Sequence, residues 1–278
     1  MFAMMNDLIQ AAFQHKYAVL AINCFNLETA RAAIQAAEQQ RAPLILNVYQ
    51  GHSAHFPPAV ALDHGKAFPL IGQAFRAGFT GLMIDASAEP LADNIRQTAA
   101  VVKMADNIRQ TAAVVKMAHT AGVCVEGELG HIADAPTYEL ADAAVKMTRV
   151  EDVLPFIEQT GIDLLAISVG TAHGLYPPGV KPKIDFERLQ QLHAVTTRPL
   201  ALHGGSGTPA EDIRRVSACG VAKINVGAAV FDAGKHAVQQ ALRQHPQAEL
   251  ADVLALMESA CREVVIEYLS WSGSANRY

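Results

Sequence analysis

The sequence predicts one α/β domain over residues 1–278, closed as a TIM (β/α)8 barrel. Three observations carry this expectation. Eight short apolar runs rich in Val, Ile and Leu recur along the chain, amphipathic stretches of helical spacing alternate with them, and polar residues gather at the C-terminal ends of the runs. Runs of that composition suit strands buried on both faces. Eight strand–helix units in sequence form this barrel, whose active sites lie at the C-terminal ends of the strands. A chain of 278 residues with 51% hydrophobic content can bury one large core.

Taken in order, the strand runs are YAVLAIN (17–23), PLILNVY (43–49), AVALDHG (59–65), TGLMIDAS (80–87), VCVEGELG (123–130), DLLAISVG (163–170), PLALHGG (199–205) and VAKINVG (221–227). Between them LETARAAIQAAEQQ (27–40), FPLIGQAFRAG (68–78), RVEDVLPFIEQTG (149–161), DFERLQQLHAVT (185–196) and PAEDIRRVSACG (209–220) read as helices. Several open on Asp, Glu or Pro and stop at Gly, as helix ends do. ELADVLALMESACREVVIEYL (249–269) adds a further amphipathic helix, expected outside the barrel or at a subunit interface.

Two places break the pattern. The link QGHSAHFPPA (50–59) is too short for a full crossover helix, and Pro57-Pro58 forbids most of one, so helix 2 is expected to be missing or reduced. Helix 4 carries a tandem duplication: ADNIRQTAAVVKM fills 92–104 and again 105–117. Thirteen added helical residues lengthen a helix by about 20 Å and rotate its continuation by about 220° beyond three full turns. The stripe Ile95, Ala99, Val102 and its copy Ile108, Ala112, Val115 therefore cannot both face the barrel. Copy two is expected to pack, because Gly122 stops it just before the fifth strand.

Bulk properties narrow the function. A net charge of −5 without a Lys/Arg run argues against a nucleic-acid surface. No apolar stretch is long enough for a transmembrane helix, and MFAMMNDLIQ lacks the zones of a signal peptide. Cys24, Cys124, Cys219 and Cys261 are scattered with no CxxC pair, which reads as reduced thiols of a cytoplasmic protein.

The chemistry gathers at the strand ends: Asn23, Asp63, His64, Asp85, Glu128, His173, His203 and Asn225. One histidine at a strand end is ordinarily a hydrogen-bonded structural residue, but so many polar groups at one end of different strands make a site. His64, His173 and His203 offer three imidazoles with an open fourth position, a catalytic zinc arrangement. Asp85 and Glu128 can orient those ligands or hold a second cation, divalent or monovalent. Asp63 is the candidate proton carrier, although neighbours on a strand point to opposite sides and share a face with His64 only where the strand has begun to turn. LHGGSG (202–207) and INVGAA (224–229) follow the last two strands, where barrel loops cradle phosphate on backbone N–H groups. Asn23 joins the substrate-binding candidates. Lys223 is the only strand lysine, and a structural ion pair explains it as well as Schiff-base chemistry does.

Six motifs in order, LDHG (62–65), MIDAS (83–87), VEGELG (125–130), GTAHGLY (170–176), LHGGSG (202–207) and KINV (223–226), resemble the class II, zinc-dependent ketose-bisphosphate aldolases. The closest likeness is to the tagatose- and fructose-bisphosphate branch. The resemblance implies that His64, His173 and His203 bind catalytic Zn2+ and that Asp85 and Glu128 match an alternative metal position. It implies that Asp63 handles the proton of the C4 hydroxyl. It also implies that Gly174, Gly204, Gly205, Ser206, Asn225, Val226, Gly227 and Ala228 hold the phosphate of dihydroxyacetone phosphate. The expected reaction is reversible cleavage of a ketose 1,6-bisphosphate by a homodimer or homotetramer that engages sugar phosphates, not membranes or nucleic acid. Two features depart from the family pattern. HIADAPTYELADAAVKMT (131–148) lacks its Gly-Gly-Glu-Glu/Asp loop, leaving Asp134, Glu139 and Asp142 as alternatives for the C3 proton, and Ala228 stands where a hydroxyl residue is usual. A barrel that binds zinc and sugar phosphate without catalysis, and a zinc hydrolase, are the rival readings.

Overall fold

The computed structural model describes residues 3–49, 61–65, 71, 81–85, 108, 111–134, 147–177 and 179–277. In chain order these form α1 (Met5–His15), β1 (Val19–Asn23), α2 (Leu27–Gln40), β2 (Leu44–Tyr49), β3 (Ala61–Gly65) and β4 (Gly81–Ile84). A helical stretch over 111–119, α3, leads into β5 (Cys124–Leu129) and β6 (Ala133–Asp134). Then come α4 (Val150–Thr160), β7 (Leu164–Ile167), β8 (Ala172–His173), α5 (Phe186–Val195), β9 (Leu200–Leu202) and α6 (Ala210–Val216). A 3-10 turn at Ser217–Cys219 precedes β10 (Val221–Val226), α7 (Ala228–Gln244) and α8 (Leu250–Trp271).

Eight strands close into a barrel in the order β1-β10-β9-β7-β5-β4-β3-β2, with parallel pairing throughout. All eight apolar runs contribute a barrel strand. Most of the strands are buried on both faces, which is why the runs lack polar alternation, whereas on β2 Leu44 and Leu46 are half-buried and Tyr49 is exposed. On β1, Leu20 and Ile22 join the outer core with the helices, while Val19 and Ala21 join the inner cluster. α1 is not among the helices read from the sequence. In the structure Met5, Ile9 and Ala12 of α1 are buried in that inner cluster. Their i, i+4, i+7 spacing was the available signal.

Helix ends follow local chemistry. Asn26 opens α2 by accepting from Thr29 N–H at 3.0 Å, and Asp185 opens α5 by accepting from Arg188 N–H at 2.9 Å. Gly161 (φ 72°) and Gly220 (φ 83°) take the left-handed backbone that ends α4 and the 3-10 turn. The predicted C-terminal helix is α8, packed along α7 and α2.

In the second copy of the duplicated segment, Val114 and Val115 are buried in the outer core, and Ile108 and Met117 pack against it. The first copy, the short link 50–59 and most of the helix expected at 68–78 lie outside the described residues. All four cysteines are free. Among the described residues, no helix is long and apolar enough to cross a membrane.

Candidate active site

β3 delivers two functional side chains from adjacent positions. His64 adopts a left-handed backbone (φ 54°), and the β3/β4 register shifts between Leu62 and Gly65. That irregularity cancels the alternation of a regular strand, so Asp63 and His64 both face the cavity. An imidazole in this conformation is held by partners: His64 N–H points at Met83 Sδ (3.3 Å), and its Nδ1 lies 3.0 Å from Asp85 Oδ2.

The other two imidazoles arrive differently. His203 follows β9 directly and is fully buried. His173 was expected at the end of the sixth barrel strand, but that strand, β7, ends at Ile167. His173 instead lies on the two-residue strand β8, paired with β6 so that Asp134 stands opposite it in register. Gly170 (φ 106°) bends the chain between them, and a Cβ there would strike the Lys183 carbonyl. The three rings still converge, with centroids 4.6 Å (His64–His173), 4.9 Å (His64–His203) and 5.7 Å (His173–His203) apart.

The donor set fits a cation. His64, His173 and His203 each offer a ring nitrogen within 4.8 Å of the others, and His64, Asp85 and Glu128 form a second such group. The carboxylates assign the tautomers. Asp85 takes the Nδ1–H of His64, and Glu126 takes the Nε2–H of His203 at 2.7 Å. The remaining nitrogens, His64 Nε2 and His203 Nδ1, then face each other at 3.1 Å. Two lone pairs cannot stay so close without a proton or a metal ion between them, and tetrahedral zinc would separate its nitrogens by about 3.3 Å. Asp63, Asp85, Glu126 and Glu128 are all buried here, and among the described residues Lys223 is the one buried lysine, so a divalent cation also relieves the charge imbalance.

Glu126 was not singled out in the sequence, although VEGEL places Glu126 and Glu128 two apart and therefore on one face of β5. Its second oxygen is 2.8 Å from Lys223 Nζ, and both side chains are 2% exposed. Lys223 is thus the structural ion pair that the sequence allowed. Burial pushes the Glu126 carboxyl up, but Lys223 and His203 outweigh it and hold it below the usual carboxylate range.

Asp63 is clamped rather than mobile. Asn23 Nδ2 donates to its Oδ2 and Asn225 Nδ2 to its Oδ1, both at 3.0 Å. Burial raises its pKa, but His64, His203, Lys223 and His173 together hold it at about 2. His173 moves to about 3 through burial and the neighbouring imidazoles. His203 is lowered by burial, against the pull of Glu126.

A cavity of about 630 Å³ opens over these groups. Its lining also includes Gly174, Gly204, Ser206, Gly227 and Ala228 from the loops expected to take phosphate, with Tyr49, His131, Ile132 and Phe231. Gly204 (φ 66°) and Gly205 are dictated by space: a Cβ would strike the Ala172 carbonyl at the first and lie 2.7 Å from the Asn225 carbonyl at the second. Val226 is buried in the outer core instead, offering at most its backbone. Of the alternatives for the C3 proton, Glu139 and Asp142 lie outside the described residues.

Known proteins share this architecture. A model of the family described as class-II fructose-bisphosphate aldolase matches residues 3–59, 53–106 and 102–277. These pieces overlap at 53–59, within the short link, and at 102–106, across the junction of the duplicated copies. A probable fructose-bisphosphate aldolase of Bacillus subtilis (strain 168) is 32% identical over 295 residues, covering 98% of each chain. The crystal structure of the YdjI aldolase from Escherichia coli K12 aligns with a TM-score of 0.82 and 26% identity, over 100% of this chain and 99% of that one. A putative fructose-1,6-bisphosphate aldolase from Coccidioides immitis aligns at 0.80 with 25% identity, over 99% and 97%.

Proposed function

Because the chain belongs to the class II fructose-bisphosphate aldolase family, we propose that it reversibly cleaves a ketose 1,6-bisphosphate to dihydroxyacetone phosphate and glyceraldehyde 3-phosphate. It is a carbon–carbon lyase of the aldolase class. Fructose and tagatose bisphosphates, epimers at C4, are both substrates to test, and zinc is the metal that three imidazoles favour.

The observation that carries the reading is the turn at His64, which brings a proton carrier and a metal ligand to one cavity from neighbouring positions. His64, His173 and His203 would hold the ion, while Asp85 and Glu126 fix the orientation of two of the rings. A metal ion bound there supplies Lewis acidity to the substrate's ketone oxygen and spreads the negative charge left by cleavage. Asp63 takes the proton of the C4 hydroxyl as the C3–C4 bond breaks, and returns it in the condensation direction. Its contribution is position: Asn23 and Asn225 hold both oxygens in place. The phosphate is received at the Ser206 turn and the start of α7, on the Ser206 hydroxyl and the backbone N–H groups of Ser206 and Ala228, because the Gly205 and Gly227 N–H groups already donate to the Asn225 carbonyl and to Ser206 Oγ. With Ala228 the chain forgoes a side-chain hydrogen bond at that position.

The test is an aldol-cleavage assay on both epimers, run beside a measurement of bound zinc. Wild-type protein is expected to bind about one zinc per site and to lose cleavage when a chelator removes it. His203→Ala should lose zinc and reduce cleavage by more than a hundredfold. Zinc bound without cleavage of either epimer would favour a binding protein over an enzyme, and cleavage insensitive to chelator would refute the metal mechanism.

A further inference from the structure

The turn expected to grip phosphate is built from residues poorly suited to holding themselves. Gly204, Gly205 and Gly207 flank Ser206, and glycine has the greatest backbone freedom to lose. Thr208 N–H donates to the Gly205 carbonyl at 3.2 Å and Gly205 N–H to the Asn225 carbonyl at 3.0 Å, and a further hold comes from outside the turn. Tyr268, near the end of α8 and only 4% exposed, reaches it from the outer layer of the fold. Gly207 N–H donates to the Tyr268 hydroxyl at 3.1 Å, and that hydroxyl donates to the Gly205 carbonyl at 3.3 Å. One hydroxyl therefore bridges the residues on either side of Ser206. The Tyr268 ring rests against Trp271, 4.7 Å between centroids, so its reach is set by packing.

Held this way, Ser206 does two things. Its Oγ accepts from Gly227 N–H (3.2 Å) and Ala229 N–H (3.1 Å), capping α7, whose own N-cap residue Gly227 has no side chain to offer. With both acceptor sites filled, the hydroxyl proton remains available for an incoming anion. We propose that Tyr268 is a positioning residue for the substrate phosphate: it braces the Gly205–Gly207 turn so that the Ser206 hydroxyl stays aimed into the cavity. This rests on the aldolase reading above, which puts phosphate at that turn.

The test uses metal-loaded protein, with inorganic phosphate as the probe in calorimetry and steady-state cleavage as the second readout. Tyr268→Phe keeps the ring against Trp271 and removes only the bridge. Loss of hydrogen bonds of this kind predicts about five- to tenfold weaker phosphate binding and a matching rise in KM. kcat should change by less than twofold, with zinc content unaltered. If Tyr268 acts through the turn, Ser206→Ala combined with Tyr268→Phe should bind phosphate within twofold of Ser206→Ala alone. Tyr268→Phe that melts earlier yet binds phosphate like the wild type would overturn the proposal, as would fully additive losses in the double variant. Wild-type protein that binds neither inorganic phosphate nor dihydroxyacetone phosphate would overturn the aldolase reading and this proposal with it, a result visible before any variant is made.

Discussion

A buried file of three side chains, Lys223, Glu126 and His203, fixes the orientation of one imidazole of the proposed metal site. Glu126 touches both neighbours, at 2.8 Å and 2.7 Å. Glu126→Gln keeps the shape but removes the charge that Lys223 balances and that polarises the His203 ring. Partners of this kind are worth roughly 10–100-fold in metal affinity. Competition against a chelator should show that loss, and an unchanged affinity would contradict the role. His64 adds a pH dependence. Burial alone would lower its pKa, but Asp63, the hydrogen bond to Asp85, and Glu128 raise it to about 9. Below that value the metal-free imidazole keeps a proton, which can bridge its Nε2 to His203 Nδ1. A metal ion must displace it, so binding at pH 7 releases a proton and affinity weakens as pH falls. Calorimetry in two buffers of different ionisation heat measures this, and identical heats would refute it. The three histidines and Asp63 were legible as strand-end residues. Glu126 was harder to see because its partners, His203 and Lys223, come from distant runs, and a sequence displays spacing within one strand but not contact across a barrel.

At the level of the element, local rules worked where short-range chemistry decides the outcome. α2, with Asn26 before it, and α4, with Gly161 after it, formed at or within one residue of their expected limits. They failed where the chain leaves regular structure. DLLAISVG reads as one strand, yet Gly170 turns it and moves His173 onto a separate ladder. The duplicated helix belongs to this scale too. Copy two supplies Val114 and Val115 to the core, and a second identical stripe cannot share that face. Since the copies are identical, cutting either one gives the same shorter chain. That 265-residue product should retain zinc binding and cleavage within about twofold and melt no lower than the parent, because no core contact made by the retained copy is lost. A clear fall in melting temperature, read by calorimetry, would show that both copies are needed.

For the whole molecule, the eight apolar runs sufficed to foresee a closed parallel barrel, since burial on both faces leaves a strong compositional trace. The dependence of the site on the last helix left no such trace: ELADVLALMESACREVVIEYL reads as an outer amphipathic helix, and nothing in its spacing says that Tyr268 reaches the turn around Ser206. The barrel's seam has the same character. β1 pairs with β10, so Val19 meets Lys223 across nearly the whole sequence of the barrel. Such long-range closure slows folding. It also gives the two halves of the site different ages during synthesis. The imidazoles are all present once residue 203 has been made, whereas the hydroxyl that steadies the phosphate turn comes at residue 268. On the proposed reading, a growing chain carries its full set of candidate metal ligands well before the turn proposed to grip phosphate is braced, and its last helix completes the site as well as the fold.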